Sequence, residues 1–213
     1  MRGTTVLRMR SSIALAFFAF ASGSFAQDAN VRLRAELERI HAADQLDREN
    51  IGHYGIGTPE RDSVNKHLIL LDSLNVLRIT AIIDSAGWLG PEDVGNVSGT
   101  LWLVIQHADL ATQEKYLPEM RSAVEDGKAS RYHLAMLEDR IEMRNGRPQI
   151  YGSQVKVDDG VSRLWMIKDE ETVNERRAAV GMEPLEEYAA RFGIDWSPPR
   201  RKERLLLLGP VKK

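Results

Sequence analysis

"NVSGTLWLVIQHADLATQEKYLP", residues 96–118, decides the fold. Ten uncharged residues, Asn96 to Ile105, run into an amide, an imidazole and a carboxylate: Gln106, His107 and Asp109. The apolar run predicts a helix over about residues 98–109. Leu117, Met120 and Val124 predict the next, over about 113–126, stopped by Gly127. Helix following closely on helix sets a bundle as the frame, and the rest of the chain reads outward from it.

Towards the N-terminus, residues 62–86 predict a helix with Leu70, Leu74, Leu77 and Ala81 in one stripe. Leu68, Ile69, Leu71, Ile79 and Ile82 surround that stripe. A helix apolar over so much of its girth is expected at the centre of a bundle. The glycine-rich loop before it, "IGHYGIGTPERD", lacks the Lys-Ser/Thr ending of a phosphate loop and reads as a flexible connection. Residues 30–50 predict the first helix, with Leu33, Leu37 and Ile40 in register.

Towards the C-terminus, Leu134, Leu137 and Ile141 predict a fifth helix over about 130–144, ended by "NGRPQ". Two β-prone runs then flank Asp158-Asp159-Gly160, the signature of a hairpin. Residues 169–193 return to helix, broken near Gly181 and Pro184. The expectation is a mainly α, single-domain helical bundle with a small β-hairpin after the fifth helix. A chain of 213 residues suffices for one such domain with a real core.

The two ends read differently. Arg2, Arg8 and Arg10 precede the short apolar run "SIALAFFAFA", and Ser24 and Ala26 stand at the small-residue positions of a cleavage site. This pattern predicts a signal peptide over 1–26, a domain over 27–195 and a basic tail over 196–213. Cleavage removes three arginines and takes the formal charge from −2 to −5. The expected location is the periplasm or the cell exterior, with no stable membrane insertion after cleavage. No basic surplus points to nucleic acid. The absence of cysteine excludes disulfides, thiol chemistry and thiolate metal sites.

Three helical stripes turn polar in register. Trp102, Gln106 and Asp109 share a face, while His107 lies with Leu103 and Val104. Leu33, Leu37 and Ile40 continue into Asp44 and Arg48. On the fifth helix Asp139 falls among Tyr132, Ala135, Met136 and Met143, with Arg140 beside it. Burying an unpaired amide or hydroxyl costs on the order of 2–7 kcal/mol. The three stripes are therefore expected to meet in one polar patch, either a buried network or the floor of a pocket. Periodicity does not separate the two. Each member also has a plain structural reading: Asp109 as a helix cap, Asp139 and Arg48 as an ion pair, Tyr151 as core.

These segments together resemble a known family. "DQLDR" (44–48), "GW" (87–88), "VG" (94–95), "QHAD" (106–109), "LP" (117–118), "LEDR" (137–140), "GRPQIYGSQ" (146–154) and "RRAAVGMEPLEEY" (176–188) follow the order found in a bacterial family, domain of unknown function 6624. Ser153 stands where that family often has threonine. The resemblance implies that the polar segments belong to one domain type; it brings no activity, substrate or cofactor.

Two functional readings follow from the residues. In the first, a non-catalytic envelope module binds a polar small molecule or envelope component through Gln106, His107, Asp109, Asp139, Arg140, Tyr151, Gln154, Asp44 and Arg48. In the second, an acid–base hydrolase uses Asp109 or Asp139 as acid or base and His107 as proton carrier. No Gly-x-Ser-x-Gly elbow supports a serine hydrolase. His107 and Asp109 diverge by about 200° on a helix, and no HExxH occurs, so neither a metal nor a cofactor is expected.

Overall fold

The computed structural model describes residues 14–198, residue 56 excepted. The positive n-region of the expected signal peptide, the leucine run of the tail and everything after residue 198 lie outside the described residues. The chain is mainly helical. In order, α1 spans Ala14–Ile51, α2 Pro59–Ala86, α3 Pro91–Val94, α4 Gly99–His107, α5 Leu110–Glu125 and α6 Arg131–Arg144. The hairpin strands β1 (Val155–Asp158) and β2 (Val161–Leu164) follow, then α7 (Val173–Ala179) and α8 (Leu185–Ala190). The helix expected fifth is α6, because the short α3 intervenes.

Local chemistry explains the boundaries. Thr58 caps α2 by accepting from the Arg61 amide, and Pro59 supplies a preset first turn. Asp109 closes the connection between α4 and α5, accepting from the Thr112 amide at 2.7 Å. The hairpin turns on Asp159 and Gly160, both with positive φ, as a two-residue connection of twisted strands requires. α1 begins well before the expected start at residue 30 and crosses the expected cleavage point after Ala26 without a break; no proline stands there to stop it.

The core is built where α1, α2, α4, α5 and α6 meet. Leu37, Ile79, Leu101, Ile105, Met120 and Leu137 are all fully enclosed in it. Here the sequence reading of α2 needs correction. Leu70, Leu74 and Leu77 are exposed, at 58, 55 and 68%. The buried residues of α2 are Leu68, Asn75, Ile79, Ile82 and Ile83. The helix is apolar on several sides, so its own pattern does not choose a face. Its neighbours choose: Ile79, Ile82 and Ile83 pack into the core against α1 and α4, and Arg48 of α1 meets Asp72. The leucine stripe is left pointing away from the bundle.

Among the described residues, no helix is long and apolar enough to cross a membrane.

Candidate functional site

The register of α1 places Asp44 two turns after Leu37, so it is carried into the interior and is 1% exposed. There it meets His107, the last residue of α4: Nδ1 of the ring lies 3.2 Å from Oδ1 of Asp44. One turn further along α1, Arg48 donates to Asp44 through Nε and Nη2, both at 3.1 Å. The same Nη2 donates to Asp72 of α2 at 2.6 Å. Gln45 completes the set with a 2.7 Å bond to the other oxygen of Asp44.

These partners decide the charge state. Burial alone would raise the Asp44 pKa, but the hydrogen bonds and charges of His107 and Arg48 outweigh it and hold the carboxyl at about 2. Asp44 is thus ionised at neutral pH, and Nδ1 of His107 carries a hydrogen towards it. The lone pair of a neutral His107 is then on Nε2. The ring lines a cavity of about 500 Å³ between α2 and the start of α5. Ile69, Val76 and Leu77 form its apolar side; Asp72 and Asp109 add carboxylates to its rim.

Asp44, Asp72 and His107 offer ligand atoms within 4.8 Å of one another, a donor set that suits a divalent cation. The Arg48 guanidinium already bridges the two carboxylates, so a cation would have to displace it.

A second group lies across the seam between α4 and α6. Near the helix starts, Trp102 stacks on His133 with ring centroids 3.9 Å apart. Near the helix ends, Arg144 Nη1 donates to the Ala108 carbonyl at 2.6 Å. The two helices therefore run side by side in the same direction. Gln106 is one turn beyond Trp102 on α4, and Arg140 is one turn before Arg144 on α6. Gln106 is 2% exposed, and among the described residues neither its Oε1 nor its Nε2 has a hydrogen-bond partner. Arg140 Nε is likewise buried and unpaired. Burial pushes the Arg140 pKa down, and the like charges of Arg144 and Arg48 add to that.

Asp139 does not join either group. It is fully buried and spends its carboxylate on the loop after α6, accepting from the amides of Ile150 (2.6 Å), Tyr151 (2.9 Å) and Ser153 (2.8 Å). Burial pushes its carboxyl up, and these three bonds pull the other way without cancelling that. The loop is also clamped from above. Arg176 donates to the Ile150 carbonyl, Arg177 to that of Tyr151 and Tyr188 to that of Ser153. Gly152, at φ +76°, packs so closely that a Cβ there would meet Leu185 at 2.9 Å. Tyr151 and Gln154 belong to this clamp. Gln154 is buried, its amide nitrogen 2.9 Å from Ser153 Oγ.

The three polar stripes do not meet in one patch: Asp44 and Arg48 meet His107, which the periodicity placed on a different face from Gln106 and Asp109, while Asp139, Tyr151 and Gln154 form a separate structural clamp. Asp109 is an exposed helix cap whose pKa is lowered by its bond to Thr112. Asp72 went unrecognised in the sequence. Its signal was the spacing Leu68, Asp72, Asn75, Ile79, a helical stripe hidden beside the stronger leucine stripe.

A family model matches residues 31–195, and its description is a family of unknown function, DUF6624. The chain belongs to DUF6624. The match begins at residue 31, within α1, and ends just past α8, so it covers every residue of the polar groups described above. No curated protein and no solved structure matches the chain.

Proposed function

We propose that this DUF6624 protein is an exported, non-catalytic binding module of the cell envelope, with a small polar ligand held at the junction of α1, α4 and α6. The observation that carries this reading is the Gln106 amide. It is enclosed in the protein and has no side-chain hydrogen bond among the described residues, next in the chain to His107 of a paired charged cluster. An amide in that state costs roughly 1–3 kcal/mol, which a ligand offering both a donor and an acceptor would recover. Export rests on the Arg2–Ala26 pattern and is checked by N-terminal sequencing of protein recovered from the cell envelope, with Gln27 expected first. Binding is checked by thermal unfolding of wild type and Gln106→Leu against a panel of envelope sugars and peptides. The expected result is a ligand that raises the melting temperature of wild type alone. A panel without effect, with Gln106→Leu more stable than wild type, counts against the site.

An acid–base hydrolase is the second reading, favoured by the Asp44–His107 pair. The ionised Asp44 fixes the ring, and Nε2 of His107 is left to take or give a proton. Among the described residues no side-chain hydroxyl is hydrogen-bonded to His107, so the pair holds no serine- or threonine-type nucleophile.

A further inference from the structure

We propose that the cavity between the α2–α4 connection and the α5–α6 loop binds a neutral sugar, its ring laid against Trp88, Trp102 and His133. This goes beyond the reading of Gln106, which stands at the opposite end of α4.

The cavity measures about 430 Å³, within the roughly 300–1,000 Å³ of small-molecule sites. Trp88 and Pro91, just after α2, form one side of it. Ser98, Gly99 and Trp102 bring the start of α4 to it, and Lys128, Ser130 and His133 bring the start of α6. These walls are held by the fold itself. The amides of Lys128 and Ala129 both donate to the Ala123 carbonyl, at 2.8 and 3.1 Å. Gly90 lies so close to that loop that a Cβ on it would meet Lys128 Cα at 3.0 Å. Trp88 is 6% exposed and belongs to the hydrophobic core. The Trp102 and His133 rings, 3° from parallel, add a stiff flat wall. Burial lowers the His133 pKa, so that wall is uncharged at neutral pH.

The polar groups around the cavity name the class of ligand. Ser98 and Ser130 stand at the N-cap positions of α4 and α6, yet neither hydroxyl caps its helix. Thr58 and Asp109, by contrast, both do so. Among the described residues, Ser98, Ser130, Asn96, Lys128 and His133 all line the cavity without a side-chain hydrogen bond or ion pair. A sugar ring uses both parts of such a site. Its C–H face packs on the indoles, and its hydroxyls replace water on the polar groups. A purely aromatic ring would leave those groups unused. Charge of either sign is disfavoured. The adjoining hollow, which shares Pro91, Gly127 and Lys128, carries Glu92, Asp93 and Asp126, and these repel an anion. Lys128 and the positive N-terminal ends of α4 and α6 repel a cation.

The test uses the full chain and five probes: glucose, N-acetylglucosamine, glucuronate, glucosamine and benzyl alcohol. The readout is the indole Nε1–H region of the ¹H–¹⁵N spectrum, with signals assigned from Trp88→Phe, Trp102→Phe and Trp165→Phe. Glucose or N-acetylglucosamine is expected to move the Trp88 and Trp102 signals saturably and to leave Trp165 in place. Ser98→Ala combined with Ser130→Ala is expected to weaken that binding by about fivefold or more, with Tm unchanged because neither hydroxyl caps a helix. Gln106→Leu is expected to respond as wild type does. Loss of the response in a folded Gln106→Leu puts the sugar at the far end of α4 and overturns this assignment. Benzyl alcohol moving the two signals, with neither neutral sugar doing so, overturns the sugar. Glucuronate or glucosamine binding as tightly as the neutral sugars overturns the neutral assignment. No probe moving either signal overturns the site itself and leaves the Gln106 reading to its own panel.

Discussion

Asp44 and His107, 63 positions apart in the chain, are joined by a single 3.2 Å contact between an enclosed carboxylate and a ring at the edge of a cavity. The contact fastens α4 to α1 and leaves one face of the imidazole towards the cavity between α2 and α5.

The Asp44 carboxyl makes stability depend on acid. Its pKa falls from an ordinary 3.8 to about 2 on folding. Its contribution is complete above 3.8 and is lost as the pH drops through about 2, up to about 2 kcal/mol in all. Melting temperature measured between pH 5 and pH 2 should fall more steeply for wild type than for Asp44→Asn. Parallel curves would show that Asp44 is not the group responsible.

His107→Ala should cost about 1 kcal/mol, because His107 is itself partly exposed and the enclosed Asp44 keeps its bonds to Arg48 and Gln45. Urea denaturation measures this. If the hydrolase reading holds for some substrate, the same variant should abolish turnover with its fold intact.

Asp139→Asn should be far more damaging, about 3 kcal/mol or more, since an amide nitrogen would face backbone donors that the carboxylate satisfies. Hydrogen exchange gives the specific readout. The amides of Ile150, Tyr151 and Ser153 should be slow in wild type and fast in the variant, with α1 and α2 unaffected.

The orientation of α2 is tested by a pair of truncations. Leu74→Ala should change stability by no more than about 0.5 kcal/mol, and Ile79→Ala should cost about 2–5. Equal costs would mean that the leucine stripe is covered.

The fold was legible where a helix had one apolar face. Leu33, Leu37 and Ile40 led correctly to a buried Asp44, and the Asp-Asp-Gly turn led correctly to a hairpin. It was illegible where a helix offered several faces, because the face α2 buries, with Ile79, Ile82 and Ile83, is chosen by its packing against α1 and α4 and not by its own pattern. The site was legible in part for a related reason. Periodicity tells that Asp139 and Arg140 point inwards on different bearings, but it does not tell what each meets. One residue of the pair closes on a loop eleven to fourteen positions ahead, while its neighbour is left unpaired at the junction.

That loop closure has a consequence for a chain with no cysteine. Asp139 cross-links the end of α6 to the segment around Gly152 as a disulfide would, yet through three N–H bonds and no sulfur. Such a staple is blind to redox potential. It forms without an oxidant or an isomerase, and it holds equally in a reducing cell interior and an oxidising envelope.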